Sequence, residues 1–183
     1  MERIIFVTSN RNKAREAGRI LGLNVEPVPL DVPEIQSLDL EAVARAKVRA
    51  ACEALGDPDL PVLAEDSGLA VNAWNGFPGA LTRWLMQSVG NEGLLRMLSG
   101  YEDRSARALC VVAVAHEGSI HTFWGEVEGE IAPEPRGSGG FGYDPVFIPA
   151  GQSRTYAELG ELKNELSHRA RALRAVREWL GSP

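Results

Sequence analysis

Ile4-Ile5-Phe6-Val7 is a β-branched and aromatic run that predicts a buried strand, and the polar stretch from Thr8 to Asn12 predicts a loop after it. A helix is expected from about Lys13. Its apolar residues Ala14, Ala17, Ile20 and Leu21 fall at helical spacing, and Gly22 stands where a C-terminal cap belongs. Pro27, Pro29 and Pro33 argue against regular structure between Glu26 and Glu34. Asp39 then caps a helix that runs to about Ala54 and is broken by Gly56-Asp57-Pro58. Pro61 to Ala64 predicts a second buried strand, ending in Glu65-Asp66-Ser67-Gly68, where a turn is expected before Leu69 to Val71 continue extended.

Helices are expected over Gly79 to Ser88 and Asn91 to Leu98. Two long extended runs, Ala106 to His116 and Ser119 to Val127, flank Glu117-Gly118 and predict a hairpin, which makes some of the sheet antiparallel. A loop rich in glycine and proline spans Ala132 to Tyr143, and Val146 to Ile148 returns to the sheet. Ser167 caps a last helix that turns Leu173, Val176 and Leu180 inward. There is no internal repeat and no linker long enough to separate independent units. The expected fold is therefore α/β, one domain over residues 1–183, with an elongated mixed sheet flanked by helices; two lobes around a cleft are compatible with it.

Composition narrows the classes of partner. With 25 acidic side chains against 19 basic ones the chain of 183 residues carries a formal charge of −6. No global positive field exists to hold a nucleic acid or an anionic membrane, so neither is an expected partner and any polyanion must be met locally. Cys52 and Cys110 show no metal or disulfide spacing. The opening MERIIFVTSN is too short in apolar residues for a signal core or a membrane span, and a cytoplasmic location is expected.

Five stretches carry candidate chemistry. Thr8-Ser9-Asn10-Arg11-Asn12-Lys13 joins a strand to a helix start, where backbone N–H groups, hydroxyls and a lysine can meet a phosphate; the same residues also suit plain helix capping. Glu65 and Asp66 end an apolar strand and offer the oxygen ligands magnesium prefers, while an Asp before Ser67-Gly68 also suits an Asx-turn. Strand alternation sends the two carboxylates to opposite faces, so both enter a cleft only if the strand has already turned; Asp66 is the primary candidate. Glu34, in the loop Pro33-Glu34-Ile35-Gln36, and Lys47 on the following helix are equally compatible with solvated surface charges. In Gly137 to Pro145, glycines allow close approach to a flat ligand, Phe141 and Tyr143 can stack on a base, and Asp144 can accept from ring N–H groups; a structural loop is the alternative. Lys163 precedes a helix cap, and His168 and Arg169 follow it, where the helix dipole disfavours cations unless an anionic or carbonyl partner is present.

Together the stretches TSNRNK, PEIQ, AEDSGLAVNAWNGFPG, YEDRSARALC, FGYDPVF, TYAEL and KNELSHRARAL resemble one family over nearly the whole chain, the inosine triphosphate pyrophosphatases (dITP/XTP pyrophosphatases). The resemblance implies cleavage of purine nucleoside triphosphates with a non-standard base (ITP, dITP, XTP) to the monophosphate and pyrophosphate, with Mg2+ as cofactor and a homodimeric assembly. It assigns Thr8, Ser9, Asn10 and Lys13 to the triphosphate, with Ser9 in place of the family's more frequent glycine. Lys47 and Lys163 lie near the triphosphate. Glu34 and Asp66 are assigned to the metal with Glu65 as a conditional partner, and Asp66 also to the activation of water, where Lys13 assists. Ser67 and the run Phe141, Gly142, Tyr143, Asp144 contact substrate, as do His168 and Arg169 around the base. The stretch PGALTRWL departs from the family pattern, so the role of Arg83 stays open. Two other readings remain: a Maf-like pyrophosphatase for modified pyrimidine or 7-methylguanine nucleotides, against which Asn10 and Lys13 argue, and a non-catalytic nucleotide-binding regulator, which would not need both Glu34 and Asp66.

Overall fold

The computed structural model describes residues 2–181; Met1, Ser182 and Pro183, included in the single-domain expectation, lie outside the described residues. Along the chain run β1 (Arg3–Val7), α1 (Arg11–Leu21), β2 (Asn24–Val28), α2 (Leu40–Leu55), β3 (Val62–Val71), β4 (Pro78–Gly79), α3 (Thr82–Ser88) and α4 (Gly90–Leu98). Then follow β5 (Ser105–His116), β6 (Ser119–Ile131), β7 (Phe147–Pro149), α5 (Tyr156–Leu159), α6 (Leu162–Leu166) and α7 (His168–Leu180). The strands form one mixed sheet in the order β2-β1-β3-β5-β6-β7, with β4 paired to β3. β1 runs parallel to β2 and β3, and all other pairings are antiparallel.

Several local signals act as the side-chain chemistry dictates. Asp39 caps α2 by accepting from Glu41 and Ala42 N–H, and Gly56 closes the helix in the left-handed conformation. Ser167 caps α7 by accepting from Ala170 N–H. Glu117 and Gly118 both take positive φ, the geometry of a tight hairpin between β5 and β6.

Four expectations are corrected. Regular structure does enter the proline-rich segment as β2, with Pro27 opposite Phe6. β2 is an edge strand, so the missing N–H of Pro27 has no second neighbour to serve. α1 starts at Arg11 rather than Lys13, because Asn10 is its cap. α3 starts at Thr82 rather than Gly79, since Pro78 and Gly79 pair with β3. No turn forms at Ser67-Gly68: β3 is continuous, and β5 pairs with it from Val62 to Val71.

Helices cover both faces. Phe6, Leu63, Cys110 and Val112 pack against Ala14, Ala17, Leu173 and Val176 of α1 and α7. Val7, Ala64, Val111 and Ala113 pack against Leu40, Ala44, Val48 and Ala51 of α2. A third core, with Leu69, Leu94, Leu98, Phe147 and Tyr156, builds the second lobe around α4, β7 and α5. The pairing pattern places the cleft between the lobes. β1 leaves β3 after Phe6↔Leu63, and β4 takes up the same edge only at Leu69↔Gly79. The β3 edge from Ala64 to Gly68 is therefore open. Gly68 is required there, because a β-carbon would overlap the Gly79 carbonyl oxygen.

Candidate active site

The open edge of β3 forms the floor of a cleft of about 900 Å³, within the size range of small-molecule sites, roughly 300–1,000 Å³. Asn10, Asn12, Lys13 and Glu16 from the start of α1, Glu34, and Lys47 from α2 line one end. α3 contributes Thr82 to Trp84, Met86 and Gln87, and the glycine-rich loop contributes Gly140 to Asp144. Tyr156, Lys163, Asn164, Ser167, His168 and Arg169 complete it. Thr8 and Ser9 do not line the cleft. The Thr8 hydroxyl accepts from Asn10 N–H at 3.1 Å, and Asn10 Oδ1 accepts from Asn12 and Lys13 N–H at 3.0 and 3.2 Å. Those side-chain atoms are occupied in capping α1, and what they present to the cleft is the helix start and Lys13.

Glu65 and Asp66 both reach the cleft although β3 has not turned, which corrects the expectation that alternation would exclude one of them. With the strand edge open, the cleft wraps around to both faces. Glu65, on the α1 and α7 face, lies 2.7 Å from Lys13 Nζ and takes three hydrogen bonds from Arg169 Nε and Nη2 at 2.9 to 3.2 Å. Burial alone would raise its pKa, but Arg169 and Lys13 outweigh that and hold it down, to about 2. Glu65 is thus a permanent anion committed to two cations. Asp66 lies on the other face, where Oδ2 is buried without a hydrogen-bond partner. Burial raises its carboxyl, Lys47 pulls it back, and Glu34 and Glu65 push it up again, to about 7.

The remaining cations of the cleft are also paired. Lys47 Nζ is 2.6 Å from Glu34 Oε1, which with burial opposing holds the Glu34 pKa below the ordinary carboxylate value. Arg83 approaches Glu34 at 3.9 Å and stacks over Trp84. Lys163 Nζ meets Asp144 Oδ2 at 2.5 Å. Arg169 Nη1 reaches Glu16 Oε2 at 3.3 Å. The ring of Phe141 has Lys163, Arg169 and Lys13 4.7, 5.9 and 6.0 Å from its centroid. An anion entering this cleft therefore exchanges partners with bound carboxylates.

His168 is buried beneath, stacked on Tyr156, with Nε2 3.3 Å from the Tyr143 hydroxyl and Nδ1 unpartnered. Burial, then Arg169 and Lys163, push its pKa down to about 3, so the imidazole is neutral at physiological pH. Glu16 lies outside the sequence motifs, and Tyr156 falls within TYAEL without an assigned role. Glu16 had a usable signal, standing three residues after Lys13 on one face of α1. Gly125 of β6 lets α7 approach closely enough to deliver His168 and Arg169, since a β-carbon there would overlap the His168 carbonyl oxygen.

A family model described as the Ham1 family matches residues 4–179, nearly the whole chain. The chain belongs to the Ham1 family. Among relatives, the Ham1-family chain is 47% identical over 182 residues to the dITP/XTP pyrophosphatase of Methanopyrus kandleri, covering 97% of this chain and 95% of that protein. It is 42% identical to the inosine triphosphate pyrophosphatase of Tuber melanosporum, covering 97% and 96%. Its fold matches the solved structure of the Staphylococcus aureus Ham1 protein with a TM-score of 0.85 at 32% identity, covering 98% of both chains.

Proposed function

We propose that this cleft hydrolyses purine nucleoside triphosphates with a non-standard base, such as ITP, dITP and XTP, to the monophosphate and pyrophosphate. The carrying observation is that a half-buried carboxylate of raised pKa, Asp66, lines the same cleft as three lysines able to meet a polyphosphate, Lys13, Lys47 and Lys163. The two relatives described above carry names for this activity.

Among the described residues no group of three or more His, Cys, Asp or Glu gathers as a ready metal site. Magnesium does not need one, since it is commonly held by one or two carboxylates plus the substrate's phosphates. The residues fit that use. Asp66 is costly to ionise alone, its Oδ2 has no partner, and Glu34 is close enough to raise its pKa. Asp66 and Glu34 would hold the ion; Glu65, committed to Arg169 and Lys13, would not. When bound, magnesium supplies positive charge to the phosphate oxygens.

The chain's own residues do the rest. Asp66 accepts a proton from the water that attacks the α-phosphorus. Lys13 and Lys47 neutralise charge on the phosphate oxygens and on the departing pyrophosphate. Arg169 bonds Glu65 through Nε and Nη2 and Glu16 through Nη1, which leaves N–H groups on both terminal nitrogens for a base carbonyl. A 6-keto purine accepts from such donors, whereas the adenine 6-amino group opposes them donor to donor. Mismatches of that kind discriminate by factors on the order of 10⁴.

The test is a substrate panel of inosine, xanthosine, adenosine and guanosine triphosphates, each with magnesium or with chelator. Turnover of the first two in magnesium, with adenosine triphosphate spared, is expected; equal turnover of all four, or none, would overturn the reading. Lys13→Ala is expected to raise KM and lower kcat together, by about tenfold or more combined in kcat/KM, because the lysine meets phosphate in ground and transition states. Unchanged steady-state kinetics would remove Lys13 from the site.

Linkage gives a second check. The folded pKa of Asp66, about 7, lies above the unfolded 3.8, so its contribution to stability is full below about pH 4 and is lost as pH rises through about 7. Magnesium should offset this loss. Thermal melts are expected to show a larger magnesium-induced rise in Tm at pH 8 than at pH 5.5; equal shifts would count against Asp66 as ligand.

A homodimer is the proposed assembly. Trp84, Val89 and Met97 on and between α3 and α4 are exposed apolar side chains that such an interface would cover. Light scattering giving a monomer mass would reject it.

A further inference from the structure

The loop that carries Phe141 is anchored on its far side by the buried Tyr143, whose hydroxyl donates to the Gly68 carbonyl oxygen at 3.3 Å, and by Asp144 N–H, which donates to the Phe141 carbonyl oxygen at 3.2 Å. Gly140 and Gly142 flank Phe141 with φ of +75° and +60°, so the ring sits between two residues without side chains. Asp144 Oδ2 accepts from Phe141 N–H at 2.8 Å, and the same oxygen accepts from Lys163 Nζ at 2.5 Å. Both Asp144 and Lys163 line the cleft, where a bound nucleotide would compete for them. Among the described residues, one further side chain reaches this stretch from outside the cleft lining. Asn91, in the first turn of α4, donates from Nδ2 to the Gly142 carbonyl oxygen at 3.0 Å. Among the described residues Asn91 Oδ1 is buried and without a partner, so the amide's bond in this orientation is the one to the loop, and a flip would set oxygen against oxygen. α4 is itself fixed through the fully buried Leu94 and Leu98.

We propose that Asn91 is a positioning residue for the purine end of the substrate, an inference that rests on the function proposed above. When Asp144 and Lys163 turn toward the nucleotide, the loop loses its side-chain tie to the Phe141 N–H and keeps the backbone bond from Asp144 N–H to the Phe141 carbonyl oxygen. The bond from Asn91 then ties Gly142, and through it the Phe141 ring, to the core of the second lobe. The bond acts on base binding and not on the phosphates or the attacking water. A net hydrogen bond of ordinary strength corresponds to about threefold to tenfold in an equilibrium constant.

The test uses Asn91→Ala and the isosteric Asn91→Asp, which keeps the shape and removes the donor. Each is assayed with ITP and, separately, with pyrophosphate as a competitor that has no base. Both variants are expected to raise KM for ITP about threefold to tenfold with kcat within a factor of two, while the inhibition constant of pyrophosphate stays within a factor of two. Wild-type KM in Asn91→Asp, or equal weakening of ITP and pyrophosphate, would overturn the proposal. So would a fall in Tm large enough to account for the loss. A wild-type enzyme without ITP turnover would sink the functional reading and this inference with it; an active wild type with unaffected variants would sink the inference alone.

Discussion

Asp66→Asn is expected to lower kcat for ITP by about 10³-fold or more while KM stays within a few-fold. Removal of a general base costs about 10² to 10⁴ in rate, and this carboxylate is also a proposed magnesium ligand. The cations that bind the triphosphate are untouched by the change, which keeps substrate binding largely intact. Stability should move the other way. Wild-type Asp66 is half-buried, unpartnered at Oδ2 and feels the charges of Glu34 and Glu65, so a neutral amide relieves the folded protein of a costly charge at pH 8. The variant is expected to melt at the same or a higher temperature than metal-free wild type. A kcat near wild type would refute the assignment of Asp66, and a strongly lowered Tm would show that its role is structural.

The largest effect on stability is expected from Glu65→Gln. The Glu65 side chain is only 4% exposed and is the shared partner of Arg169 and Lys13. Removing one partner of a buried ion pair leaves an uncompensated charge and costs about 3–5 kcal/mol. For a chain of this size that corresponds to a fall in Tm of roughly 6–20 °C. The sign of the pH dependence follows from the depressed pKa. The stabilisation is full above the unfolded value of 4.5 and is lost as pH falls toward about 2, so wild type and variant should differ at pH 7 and converge in acid. A Tm within about 2 °C of wild type at pH 7 would contradict the network. Turnover should fall as well, since Arg169 and Lys13 lose the anion that orients them.

The sequence carried the local chemistry of the fold well. Asp39, Gly56 and Ser167 act at their helix ends through bonds within a few residues, so composition alone reveals them. What it did not carry was long-range. Pro27 suggested the absence of a strand, yet β2 exists because a parallel neighbour is available on only one side. Ser67-Gly68 looked like a turn, but β5 pairs straight through it, and Gly68 serves the approach of Gly79 instead. The capping box of Thr155 and Glu158 that starts α5 is a local signal of the same legible kind.

The site shows the same division. Residues brought together by the resemblance do meet in one cleft, apart from Thr8 and Ser9. Their pairing could not be read from spacing. Arg169 stands 104 positions from Glu65, and only the packing of α1 and α7 on one face of the sheet shows that Glu65 belongs to it and to Lys13. That face assignment separates the two adjacent carboxylates: Glu65 organises cations, and Asp66 is left for water and metal.

In the proposed reaction water attacks the α-phosphorus of a non-standard purine triphosphate. This attack is tested most directly by turnover of ITP in water enriched in oxygen-18, with mass analysis of both products. Inosine monophosphate carrying one heavy oxygen and unlabelled pyrophosphate are expected. Label in the pyrophosphate, or inosine diphosphate as the product, would contradict it.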